Sequence, residues 1–227
     1  MNSSSKPSLV LTPHKGIRYA FSQLSWKAGN IDYTDKAEVA ELKAQMEEFG
    51  ELLEEHAKTE NEFILKPLEA RLPGSSDHDE QDHEHLYALQ EALLAKLEGI
   101  LHPTIPASEA MSTGYEFYQD LSKLHAAHLE HMLEEEQVTQ VLMWSHFTGE
   151  EMMDIHHQII QHIPPAKMLA WMKYILPALN HEERFGLLKG MQAGAPAAFF
   201  EQVMSVAEAV LPANVFEKLE GALLHAA

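Results

Sequence analysis

The 227-residue chain has no cysteine, which excludes disulfides, iron–sulfur clusters and thiolate zinc sites. Basic residues are scarce: 16 Lys and Arg stand against 35 Asp and Glu, a formal charge of −19. That excess argues against nucleic acid or an anionic membrane as a partner. No apolar run is long enough to span a bilayer. The opening Met1-Asn2-Ser3-Ser4-Ser5-Lys6-Pro7 leads into only a short apolar stretch without a signal-peptide core. The expectation is a cytoplasmic protein. Strand signals are almost absent. Histidine is abundant, with 15 in the chain, and helix start signals recur.

Those signals predict an all-α protein: an antiparallel four-helix bundle over residues 8–148 and a helical extension over 149–227 packed on it. Thr12-Pro13 opens the first helix, with His14, Ile17, Phe21 and Leu24 on its stripe. Asp35 and Glu38 suggest a capping box for the second. Its face carries Val39, Leu42, Met46, Phe49, Leu53, His56, Glu60, Phe63 and Ile64, and Pro67 should kink or end it. The third shows His85, Leu89, Leu93, Leu97 and Ile100. The fourth shows Phe117, Leu121, Leu124, His128, His131, Glu135, Val138 and Leu142. Beyond Thr148, two capping-box patterns (Thr148/Glu151 and Asn180/Glu183) and several prolines divide the rest into about four shorter helices. No repeat with a period of roughly 20–50 residues is evident.

The chemistry-bearing feature is a pair of His-x-x-x-Glu steps, His56…Glu60 and His131…Glu135, each pointing two ligand-type side chains the same way. Such groups are costly on a core stripe unless something offsets them, and a bound metal does so economically. A lone histidine on an apolar face reads better as a hydrogen-bonded core residue. Here, however, four successive stripes each carry one: His14, His56, His85 and His131. In an antiparallel bundle His14 and His85, early in their helices, meet His56 and His131, late in theirs. Four imidazoles and two carboxylates exceed one tetrahedral zinc but suit two ions bridged by the glutamates. Nitrogen and oxygen ligands with vacant positions favour non-haem iron over manganese or zinc.

With these residues in place, the run from His14 to Glu135 resembles the hemerythrin-like (HHE cation-binding) domain. The downstream pattern, Ile163-Pro164, Trp171-Met172 and Glu182-Glu183-Arg184, is similar to the segment after such domains in iron-regulating ubiquitin ligases of the Brutus type. The resemblance implies two iron ions, with His14, His56, His85 and His131 as terminal ligands and Glu60 and Glu135 as bridges. Two departures stand out. Leu89, four residues after His85, occupies the place of a second histidine in the oxygen carriers, whose helix-four acid is an aspartate at longer spacing than Glu135. Both favour a sensor over a reversible carrier.

The expected function is binding or sensing of oxygen, a related small diatomic or peroxide ligand, or iron status. Alternatives are a di-iron enzyme acting on peroxide or nitric oxide, and a metal-stabilised interaction module whose C-terminal helices dock on a protein partner. Among the other histidines, His128 is a candidate supporting group or extra nitrogen ligand. His78 and His83, in the acidic run before helix three, read as solvated. His156, His157, His162 and His181 read as surface positions rather than a second site. Ferritin-like centres need two Glu-x-x-His steps, and Glu80…His83 is the one convincing example.

Overall fold

The computed structural model describes residues 6–225. Among the described residues eleven α-helices follow one another: α1 (Leu11–Ala28), α2 (Lys36–Glu60), α3 (Lys66–Arg71), α4 (Asp77–Leu101), α5 (Ala107–Glu134), α6 (Gln140–His146), α7 (Gly149–His162), α8 (Pro165–Ala178), α9 (His181–Gly194), α10 (Ala197–Val210) and α11 (Ala213–His225). No strand occurs among the described residues, so the all-α expectation holds. No helix among them is long and apolar enough to cross a membrane. The chain forms two compact units. Within the described residues the first comprises 6–10 and 20–159, the second 11–19 and 160–225. The division therefore falls within α7 rather than ahead of it at 148, and the first half of α1 groups with the second unit.

In the first unit, contacts between opposite helix ends set the directions. Lys27, late in α1, pairs at 2.7 Å with Glu41, early in α2. Lys43, also early in α2, lies 3.5 Å from Glu98, late in α4, and Lys96 pairs at 2.8 Å with Asp120 in α5. At the other end, His83 of α4 meets Asn61 just after α2 at 2.8 Å. Consecutive long helices thus run antiparallel. Their interior is built from Phe21, Val39, Leu42, Met46, Phe49, Leu93, Leu97, Ile100, Phe117, Leu121 and Leu124, all buried, and the Phe21 and Phe49 rings meet edge to face at 5.0 Å.

One close approach is specific. A Cβ on Gly114 of α5 would come within 2.1 Å of the Tyr33 ring, whose hydroxyl donates to the Ala28 carbonyl at 2.9 Å. Gly114→Ala should gain roughly 1 kcal/mol of helix propensity but lose more by displacing the ring, for a net destabilisation of about 1–2 kcal/mol. Urea unfolding of the variant measures this directly, and an unchanged midpoint would contradict it.

Two helices are interrupted the same way. Asn61–Leu65 and Glu135–Thr139 are single π turns, closed by Lys66 N–H on Asn61 C=O and Gln140 N–H on Glu135 C=O. A π turn adds one residue to an α-helix, so every later residue rotates off its expected face. Of the expected Phe63 and Ile64 only Ile64 is buried, and Leu65 and Leu68 join it while Phe63 and Pro67 are half-buried. Past Glu135 the expected Val138 is 42% exposed, while Thr139, Gln140 and Met143 turn inward. Pro67 does not end the helical rod, which runs on through α3 to Arg71. Below the turns Ile64, Leu65, Leu68, Met143, Phe147, Met152 and Ile155 form an apolar plug with Leu9 and Val10.

Helix starts agree with the sequence in part. Asp35 caps α2 through the amides of Ala37 and Glu38, although Glu38 reaches back to the Asp32 amide rather than to Asp35. Both later capping boxes close, Thr148 with Glu151 and Asn180 with Glu183. The second half holds five helices, α7 to α11, each beginning sixteen residues after the last. Within the second unit α8 packs on α10 and α9 on α11. A two-helix unit therefore repeats every 32 residues, contrary to the expectation of no such period.

Candidate metal centre

Where α2, α4 and α5 meet the two π turns, five side chains form an unbroken series. Glu60 Oε1 lies 3.2 Å from His56 Nε2, and its other oxygen lies 3.5 Å from His83 Nε2. His83 Nε2 is in turn 3.8 Å from Glu135 Oε1, and Glu135 Oε2 is 3.5 Å from His131 Nε2. Glu60, His83, His131 and Glu135 each bring one donor atom within 4.8 Å of all the others. Two donors about 2.0–2.2 Å from one ion stand roughly 3.0–3.6 Å apart, so all of these spacings except His83–Glu135 at 3.8 Å fall in the range for side chains that share a metal.

Burial sharpens the point. Glu60 and Glu135 are 2% and 1% exposed, an expensive location for two neighbouring carboxylates. His83 Nε2 and His131 Nδ1 are buried without a hydrogen-bond partner of acceptable geometry. The surroundings orient the rings as metal sites require. Asn61, the first residue of its π turn, accepts from His83 Nδ1 at 2.8 Å, which turns Nε2 toward the carboxylates. Asp82 lies 3.4 Å from His131 Nδ1. Buried Asp79, one turn before His83, accepts from Thr139 Oγ1 at 2.6 Å. Thr139, four residues after Glu135, closes the π turn on this buried side.

Four expected ligands stand together here: His56, Glu60, His131 and Glu135. His14 is fully buried on α1, in the stretch that belongs to the second unit. His85 is a correction. It is exposed on α4, while His83, read from the sequence as solvated, occupies the centre. The buried face of α4 runs Asp79, Leu86, Gln90, Leu93, Leu97 and Ile100, and His83 continues its alternating four- and three-residue steps. The series His85, Leu89, Leu93, Leu97 uses only four-residue steps, which drift about 40° each around a helix of 3.6 residues per turn. That distinction was available in the sequence. His128 is buried against the Phe21 ring at 4.8 Å and lies outside the ligand group. His78 is exposed beside Asp82 at 3.7 Å. His156, His157, His162 and His181 join no group that could hold an ion among the described residues.

Electrostatics separate the imidazoles. Burial lowers the pKa of His83, but Glu60, Glu135 and Asp79 outweigh it and hold the ring above the usual histidine value. Burial, aided by the His83 charge, lowers His131. Burial alone is the main cause of the strong lowering at His128, reinforced by the neighbouring histidines. Desolvation raises Asp79 above the ordinary carboxylate range, partly offset by the Thr139 hydrogen bond.

His128 gives stability a pH dependence. Its folded pKa lies below the unfolded value of about 6.5. Below pH 6.5 the unfolded chain therefore takes up a proton that the folded protein refuses, and stability falls with pH. The metal-free protein should show a lower urea midpoint at pH 5.5 than at 7.5, and His128→Leu should reduce that difference. An undiminished difference in the variant would assign the effect elsewhere.

No family model matches the chain, and neither the curated proteins nor the solved structures include a significantly similar one.

Proposed function

We propose that the first unit is a hemerythrin-like four-helix bundle that holds two iron ions and binds or senses oxygen or a related small ligand. The observation that supports it most is Glu60, a buried carboxylate with one oxygen facing His56 and the other facing His83. This is the disposition of a carboxylate shared between two ions. In this reading His83 replaces His85 and joins His131 and Glu135 at one ion. The resemblance assigns His14 and His56 to the other. Iron held there would supply a redox-active centre with open coordination positions. The chain's own contribution is preparatory. Asn61 fixes the His83 tautomer, Asp82 steadies His131, the carboxylates offset cationic charge, and the apolar plug and Phe21 keep bulk water away.

Iron-replete protein should contain close to two iron ions per chain by elemental analysis, and absence of stoichiometric metal would overturn the proposal. Exposure of the reduced, iron-loaded protein to oxygen should oxidise it irreversibly. The reason lies one turn to either side of His83 rather than at Leu89. Helix α4 supplies a single imidazole, because the residues at those places are Asp79 and the exposed Tyr87. An optical spectrum that returns to the reduced form on degassing would instead establish reversible carriage.

A further inference from the structure

The centre is closed to solvent, since the side chains of Glu60, His83, His131 and Glu135 are at most 8% exposed. An ion bound there has to leave water first, a costly step unless ligands at the boundary replace the water in stages. One residue stands at that boundary. Asp82 of α4 is 32% exposed, and its two oxygens serve different rings. Oδ1 lies 3.7 Å from Nδ1 of His78, a side chain 67% exposed. Oδ2 lies 3.4 Å from Nδ1 of the buried His131.

His131 continues the series inward. Its Nδ1 is buried and lacks a hydrogen bond of acceptable geometry, while its Nε2 lies 3.5 Å from Glu135 Oε2. A bond that served only to orient the ring would satisfy that buried nitrogen. His83 shows such a bond, with Nδ1 held by Asn61 at 2.8 Å. The 3.4 Å between Asp82 and His131 instead falls within the span of two donors on one ion, and the outer 3.7 Å lies just beyond it. Surface charge favours the same side. Asp77, Glu80 and Glu84 are exposed on this stretch of α4 and raise the local concentration of cations. Toward α2, exposed Tyr87 stands with Lys58, whose positive charge repels them.

We propose that Asp82 is the port through which ferrous ion enters the centre, taken up with His78 at the surface and passed to His131. The inference rests on the metal reading above. It gives Asp82 a task beyond steadying the His131 ring, and the two tasks leave different kinetic marks. A residue on the path lowers the barrier to entry and exit alike, so its loss slows both and leaves affinity nearly unchanged. A residue that only positions a ligand acts on the bound state. Its loss hastens exit while entry keeps its rate.

The test loads the metal-free full chain with ferrous ion alone, without oxygen, and then extracts it with excess of a chelator that colours on binding ferrous ion. Ions captured at once are free, and those captured slowly were bound. Asp82→Asn should slow loading and extraction by about tenfold or more each, with the final iron content and circular dichroism unchanged. Asp82→Glu should restore both rates to within about threefold of the parent. His78→Ala should slow both by a smaller factor and reach the same final content. Glu84→Gln removes the same charge from the exposed side of α4 and should leave both rates within about twofold. Parent-like rates in Asp82→Asn, a change confined to one direction, or equal slowing by Glu84→Gln would overturn the port. A parent that takes up no stoichiometric iron would instead overturn the metal centre itself, and the port with it.

Discussion

His83→Ala should strip the iron-loaded protein of most of its metal, whereas His85→Ala should leave the content unchanged. The two residues are neighbours on α4, so composition and helix propensity barely differ between the variants, and the contrast isolates geometry. His83 Nε2 stands between Glu60 at 3.5 Å and Glu135 at 3.8 Å, and its loss removes the nitrogen that links the two carboxylates. His85 faces solvent. Asn61→Leu should have an intermediate effect, because His83 would keep its position but lose the acceptor that fixes its tautomer. Changes of this kind cost about 10–100-fold in metal affinity. His78→Ala serves as a second control. Elemental analysis after dialysis, with circular dichroism to confirm folding, decides the matter. Metal retained by His83→Ala and lost by His85→Ala would refute the site as described.

Removing the metal should lower stability by about 3 kcal/mol, the order expected when buried polar and charged groups lose compensation. For a chain of this size that corresponds to roughly 6–12 °C in Tm. The cause is crowding of two carboxylates, each at most 2% exposed, around imidazoles that cannot all be protonated together. A further consequence separates this account from a general loss of packing. Glu135→Gln removes one of the crowded charges, so the metal-free variant should melt above the metal-free parent although it binds metal poorly. Such opposition between stability and site chemistry is common at functional centres. Calorimetry with and without chelator measures both effects, and identical melting of the loaded and stripped parent would contradict them.

Regular periodicity made much of the first unit legible in the sequence. Helix α5 keeps alternating steps of four and three from Phe117 to Glu135, and every expected residue up to that glutamate is buried, joined by the unexpected Met132. The same rule, applied strictly to α4, selects Asp79, His83 and Leu86 over His85 and Leu89. The π turns were not legible, because a pattern search assumes constant residues per turn and Val138 is as apolar as a core position requires. Thr139 and Gln140 look like surface residues until the extra residue turns them inward. Gln140 then accepts the Leu9 amide at 2.8 Å, a tie between distant segments that local pattern does not encode. The hairpin repeat is hidden in the sequence for another reason. Its equivalent positions share size and polarity only on one row, and the glutamates of α10 and α11 break the other.

Each π turn makes its rod one residue longer than an uninterrupted α-helix would need between the same endpoints. The surplus residue lies immediately after Glu60 in one rod and begins at Glu135 in the other, so the two glutamates mark where the hydrophobic phase changes. On the proposed reading, a chain without metal would be free to lose one residue from either stretch, restoring a single continuous phase from Val39 or Phe117 onward. Chain length between these landmarks then becomes a test of the proposed centre: sequences that need it should keep both surplus residues.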